Sequence, residues 1–207
     1  GQVGDQGELR VGDAVFVVTD TRAPVDGLHV HVGYLKSGAL KLGDELEAAV
    51  DPELRSATRR NHSATHLLHW ALREVVGPTA TQKGSLVGPS RLRFDFSATR
   101  PLTQAELTRI EDMVNGAVLE NAGITTDELA MDAAKAAGAI GIFEEKYGDV
   151  VRMLRIGPSL ELCGGTHARR TGDIGLFKIL SESGLAAGVR RIEATTGLNA
   201  LAHLREL

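Results

Sequence analysis

Four side chains in this sequence have the chemistry to hold a metal ion, and they come as two pairs. His62 and His66 stand four residues apart. On a helix that spacing puts both imidazoles on one face, one turn apart. Cys163 and His167 form the second pair, in Glu161-Leu-Cys-Gly-Gly-Thr-His167. Gly164 and Gly165 between them allow the tight turn that lets a thiolate and an imidazole converge. Together the pairs offer one sulfur and three nitrogens, a set that zinc accepts readily. Each pair also has a plainer reading: polar surface histidines, and a small buried cysteine beside an unrelated histidine. Position 63 is Ser, so the Glu that turns two helical histidines into a metalloprotease motif is missing. Cys163 is the single cysteine, which rules out an intrachain disulfide and fits a reducing compartment.

The two pairs lie about a hundred residues apart, so only the fold can join them. Residues 1–50 are rich in Val, Gly and Asp. Ala14–Asp20 and Leu28–Gly33 read as strands, with turns at Arg22-Ala23-Pro24, Gly38 and Gly43. Short strands with Gly turns predict a small β-barrel. The texture changes at Asp51-Pro52, an N-cap followed by Pro at the first helical position. That helix runs to about Val76 and stops at Gly77-Pro78. Thr103 and Glu106 form a capping box that opens a helix to about Asn121. Strands are expected at Ile124–Leu129, Val150–Ile156, Leu176–Ser181 and Val189–Thr195. Short helices are expected at Asp132–Gly138 and Leu198–Leu207. Helices and strands mix without a βαβ rhythm, so the fold class is α+β: a small N-terminal β-barrel over 1–50, then an α+β domain over 51–207.

The 207 residues are 43% hydrophobic, enough for one medium core or for a small domain beside a larger one. A net charge of −4 excludes a uniformly basic nucleic-acid coat, so RNA contact would need local clusters. No apolar run is long enough to span a membrane and no signal peptide is visible. The chain opens on Gly1-Gln2 without an initiator Met, which suggests a piece of something longer.

Five segments, in order, resemble one family. Asn61-His-Ser-Ala-Thr-His-Leu-Leu68 and Leu162-Cys-Gly-Gly-Thr-His167 resemble the two zinc motifs of the alanyl-tRNA synthetase editing domain. Gly1-Gln-Val-Gly-Asp5, Gln82-Lys-Gly-Ser85 and Phe143-Glu-Glu-Lys-Tyr-Gly148 resemble further segments of it. The related threonyl-tRNA synthetase editing domain would have Arg and Pro where this chain has Gly165 and Thr166. Free-standing editing relatives share both zinc motifs.

The resemblance implies a cytoplasmic hydrolase that clears serine or glycine wrongly attached to alanine tRNA. It implies Zn2+ held by His62, His66, Cys163 and His167. The parent enzyme joins alanine to its tRNA with ATP, in a domain outside this chain. Alanine and serine differ by one hydroxyl, and a small pocket rejects the larger side chain by only about 1–3 kcal/mol. A second site must therefore favour the hydroxyl, and Thr65 is the candidate reader. A helical Thr can instead bond back to the carbonyl one turn earlier. Gln82 would orient the water or the ester, unless it is simply a solvated loop residue. His69, one turn beyond His66, could support the site or merely pack against Trp70. Four protein ligands would close the metal's coordination sphere, as in a structural site. A catalytic role needs one loose ligand, and His167 is the candidate. Arg60, Lys83, Arg190 and Arg191 are the cations expected to meet tRNA phosphates, against a plainer reading as solvated surface. Three readings stay open: an alanine-tRNA editing hydrolase, its threonine counterpart, and a zinc-stapled RNA-binding module without chemistry.

Overall fold

A computed structural model describes residues 1–25, 27–141 and 149–206. The segment Phe143–Gly148 falls wholly within 142–148, outside the described residues. Among the described residues there are three antiparallel sheets and four α-helices. The first sheet contains β1 (Gly7–Val11), β2 (Ala14–Val25), β3 (Leu28–Ser37) and β4 (Glu47–Val50), in the order β3-β2-β1-β4. The expected small N-terminal β-barrel is corrected here: this sheet is open. β3 and β4 occupy opposite edges, and closure would require them to pair. Four-residue β4 matches little of ten-residue β3, and residues 38–46 between them form no strand.

The long helix α1 (Pro52–Val75) starts as its sequence dictates. Asp51 Oδ1 accepts from the amides of Glu53 and Leu54 at 2.9 and 3.0 Å, and Pro52 follows. The helix ends at Gly77, whose φ of 118° only glycine adopts freely. Ala64, Leu67, Leu68, Ala71 and Leu72 repeat at helical spacing and are fully buried. They pack on a sheet of β5 (Gln82–Val87), β6 (Leu92–Ser97), β10 (Phe177–Ala186) and β11 (Val189–Thr196), ordered β10-β11-β6-β5. Phe94, Phe96, Phe177 and Ile192 supply that sheet's apolar face. Helix α2 (Gln104–Leu119) opens on the expected Thr103–Glu106 capping box and adds Ile110 and Val114 to the same core.

The third sheet orders β7 (Ile124–Ala130), β8 (Val150–Ile156) and β9 (Ser159–Leu162) side by side, with short α3 (Met131–Ala136) after β7. A tight turn at Gly157-Pro158 joins β8 to β9, and β9 leads directly into Cys163. Helix α4 (Gly197–Arg205) closes the described chain.

Asn61 binds these parts together from the buried side of α1. Its amide donates to the carbonyls of Gly88 and Pro89 at 2.8 and 3.2 Å, and its Oδ1 accepts from Thr196 at 2.7 Å. It thereby fixes α1 to the β5–β6 turn and to the end of β11. Asp95 on β6 is clamped by Nε and Nη2 of Arg191 at 2.7 and 2.9 Å.

Leu68 is fully buried between α1 and the sheet. Leu68→Ala should therefore lose about 2–5 kcal/mol of stability, read as a lowered midpoint in denaturant unfolding. An unchanged midpoint would contradict the packing described.

Candidate metal centre

The middle of α1 faces the loop that follows β9, and the four expected ligands meet there. Their ligand atoms all lie within 4.8 Å of one another. His62 Nε2 is 3.5 Å from Cys163 Sγ, and His66 Nε2 is 3.3 Å from His167 Nε2. The His62 and His167 rings stack with centroids 4.4 Å apart. This group could bind a metal ion.

Outer contacts decide which nitrogen of each ring faces inward. His62 Nδ1 lies 3.0 Å from Gln2 Oε1 and 3.1 Å from the Thr166 carbonyl. Both are acceptors, so Nδ1 carries the proton and Nε2 keeps its lone pair. His66 Nδ1 lies 2.6 Å from Glu161 Oε2, so Nδ1 donates to the carboxylate and Nε2 faces the cluster. Two Nε2 atoms and a sulfur thus point at one place. His167 differs: its Nδ1 is buried without a hydrogen-bond partner, so it is the least anchored of the four.

Charge reinforces the geometry. Burial pushes the Cys163 thiol up, but hydrogen bonds with His167, His62 and His66 outweigh it and bring it down to about 3. The side chain is a thiolate. Burial alone would also discharge His66, yet Glu161 and Cys163 raise it to about 10. The two anions that hold a proton there would attract a metal cation. Burial, with His62 and His66 nearby, lowers His167 to about 4 and leaves its imidazole neutral, as a ligand must be. Glu161 is 2% exposed, and burial favours its acid form. His66 and His69 reverse that and hold it down at about 2.

The loop is built for close approach. A Cβ at Gly165 would lie 2.2 Å from His62 Cε1 and 2.7 Å from Nδ1, so only glycine fits. Ser63, where a metalloprotease would carry Glu, accepts from the Ala168 amide at 2.9 Å and ties α1 to the far end of the loop. Arg152 Nη1 donates to the Gly165 carbonyl at 2.6 Å from the neighbouring strand.

A cleft of about 740 Å³, counting its open mouth, lies over His62, His66 and Cys163. Gln2, His62, Thr65, Gln82, Ser85 and Cys163 are among its lining residues. Thr65 is 5% exposed, and its hydroxyl donates to the Asn61 carbonyl at 2.8 Å. The back-bond is therefore present, and the oxygen lone pairs remain available to an incoming donor. Gln82 sits on strand β5 rather than in a loop, and its amide donates to Ser85 at 3.2 Å. His69 does not line the cleft. It is 2% exposed beside Phe94, with Nδ1 2.8 Å from Glu161 Oε1 and Nε2 buried without a partner.

The expected cations are dispersed. Lys83 is exposed on β5 beside Gln82. Arg60 opens instead onto a groove lined by Asp173, Leu176, Leu198 and Leu201. Arg190 is paired twice with Glu182, at 2.5 and 2.7 Å, and Arg191 with Asp95. Sequence reasoning missed Glu161 and Gln2, whose ring partners are 95 and 60 residues away along the chain. No local spacing signals either contact. The run Ser159–Leu162 between Gly157-Pro158 and Gly164-Gly165 does carry a strand signal, and it would have placed Glu161 beside the cysteine.

Residues 151–193 match the family described as "Threonyl and Alanyl tRNA synthetase second additional domain". The chain is 63% identical over 206 residues to the alanine–tRNA ligase of Sorangium cellulosum (strain So ce56), covering 99% of this chain and 22% of that protein. It is 57% identical over 202 residues to that of Acidithiobacillus ferridurans, covering 97% and 23%. It is 55% identical over 207 residues to that of Acidovorax sp. (strain JS42), covering 100% and 24%. The chain thus spans less than a quarter of the length of these curated relatives.

Glu161→Ala should leave the Nδ1 atoms of His66 and His69 buried without their acceptor. We expect a loss of about 3 kcal/mol in chelator-treated protein, with a smaller loss for Glu161→Gln, which keeps one acceptor oxygen. Equal unfolding midpoints for Glu161→Ala and wild type would show that the carboxylate does not organise the two rings.

Proposed function

Since the chain belongs to the alanine–tRNA ligase family, we propose that it carries that enzyme's post-transfer editing site, a zinc-dependent hydrolase for serine or glycine misattached to alanine tRNA. The observation that carries this reading is convergence. A hydroxyl on Thr65, an amide on Gln82 and a thiolate–imidazole cluster meet in one cleft, although they come from three separate segments.

Zinc is the ion this donor set fits. Zn–N bonds of about 2.0–2.1 Å and a Zn–S bond of about 2.3 Å give tetrahedral edges of about 3.3 and 3.6 Å. The facing atoms stand 3.3 and 3.5 Å apart. His62, His66, Cys163 and His167 would hold it, with His167 the ligand that yields. A bound zinc would act as a Lewis acid towards the ester or water, or would anchor the substrate.

The protein's own residues supply discrimination. The Thr65 proton is already given to Asn61, so Thr65 meets the substrate as an acceptor. A serine hydroxyl can donate to it; an alanine methyl leaves it unpaired. Gln82, held by Ser85, presents its amide towards the ester or the attacking water. His69 acts through Glu161 as a positioning residue. Water attacks the ester carbonyl, the acyl–ribose bond breaks, and the ribose oxygen leaves with a proton as free tRNA.

The partner is alanine tRNA, in a cytoplasmic setting. No helix among the described residues is long and apolar enough to cross a membrane. Lys83 is the cation best placed for the tRNA 3′ end. Arg190 and Arg191 already hold carboxylates, and Arg60 faces another groove, so these three would contribute at the acceptor stem. Attachment of alanine with ATP belongs to the rest of the synthetase.

The test is deacylation of seryl- and alanyl-charged alanine tRNA by the purified chain, with Cys163→Ala, Thr65→Val and Gln82→Ala beside wild type. Wild type should clear serine and spare alanine. Cys163→Ala should lose zinc and hydrolysis together. Thr65→Val and Gln82→Ala should keep zinc, fold and tRNA affinity while serine hydrolysis drops roughly tenfold or more, about 1.4 kcal/mol per factor of ten. Zinc and tRNA binding with no hydrolysis in wild type would instead favour an RNA-binding module stapled by the metal.

A further inference from the structure

We propose that Gln2 is a positioning residue for the metal centre, a clamp that joins the two ligand pairs and fixes His62 for coordination. This rests on the reading that His62, His66, Cys163 and His167 hold zinc.

Gln2 arrives from the start of the chain, sixty residues before the ring it touches. Backbone pairing puts it there. The Val3 amide donates to the Val87 carbonyl at 2.9 Å, and the Val87 amide donates to the Gly1 carbonyl at 2.8 Å. Residues 1–3 thus lie parallel to the free edge of β5, with Gln2 opposite Val87. The segment is anchored further along, where Asp5 forms a bidentate ion pair with Arg55 of α1.

The side-chain amide then engages both halves of the cluster. Oε1 lies 3.0 Å from His62 Nδ1 on α1. The same oxygen accepts from the Thr166 amide at 3.0 Å, in the loop that carries Cys163 and His167. Nε2 donates to Thr166 Oγ1 at 2.9 Å. Two ligand pairs a hundred residues apart are therefore bridged by one amide. The acceptor on Nδ1 also keeps the proton off Nε2, the atom 3.5 Å from Cys163 Sγ. Such outer contacts set a ring's tautomer and orientation, and their removal commonly weakens metal binding about 10- to 100-fold.

The test compares wild type, Gln2→Met and Gln2→Glu in the full chain. Met keeps the length and the backbone pairing but offers no hydrogen bond to His62 or Thr166. Glu keeps an acceptor for His62 and for the Thr166 amide. Zinc affinity is read by competition with a chelator, cobalt(II) substitution by its ligand-field absorption, and fold by unfolding of chelator-treated protein. Gln2→Met should weaken zinc binding about 10- to 100-fold and alter the cobalt spectrum, with metal-free unfolding unchanged. Gln2→Glu should restore both. The inference is overturned if Gln2→Met keeps wild-type affinity and spectrum, or if its loss is matched by a loss of metal-free stability. Wild type that takes up neither zinc nor cobalt would overturn the metal reading itself, and this inference with it.

Discussion

A carboxylate almost wholly out of water must be answered by positive charge or by hydrogen bonds, and Glu161 is answered by two imidazoles of α1. That demand sets the relation of helix to hairpin. His66 and His69 lie three residues apart on one face, and the two oxygens of Glu161 fit them at 2.6 and 2.8 Å. Once Glu161 is seated, β9 has no freedom to slide. Cys163, two residues further on, is delivered to the same turn of the helix. The ligand cluster follows from the seating of one acid.

The hydrogen bonds around the loop then serve a single geometry. Ser63 holds the loop at Ala168, Arg152 holds it at Gly165, and Gln2 holds it at Thr166. Three separate elements each contribute one restraint. The ligand-facing ring atoms point inward because their opposite nitrogens are occupied. Only His167 escapes this pattern, which gives the cluster one member that can move without tearing a hydrogen bond at its back.

The sequence made the helices legible because their signals are local. Asp51-Pro52 and the Thr103–Glu106 box act within one turn, and the structure has both caps. The histidine pair, the cysteine–histidine loop and the family likeness were legible for the same reason, as short motifs. Strands β5 and β6 were not. Gln82–Val87 holds a glycine and a register slip, and Arg93 and Asp95 interrupt the apolar pattern of β6. Asp95 is answered by Arg191, opposite it on β11, and by Arg93 on its own strand. The first sheet was over-read. Two of its strands and the turns at Gly38 and Gly43 were visible, but Arg22-Ala23-Pro24, read as a turn, continues β2, and closure depends on which edges pair, about which alternation along a strand says nothing. Gln82 was likewise visible as a residue and misplaced as a loop. Glu161 and Gln2 stayed hidden because their partners lie far along the chain.

The seating of residues 1–3 against β5 has a mechanical reading. The open N-terminal sheet is joined to the cluster through the bridge of residues 1–3 to β5, from which Gln2 reaches His62 and Thr166. Free energies of coupled sites are reciprocal. An ion bound at the cluster and the seating of residues 1–3 would, where they are coupled, strengthen one another by the same free energy. Residues 1–3 are therefore the link through which the seat of the N-terminal sheet and the His62–Cys163 cluster would bear on one another.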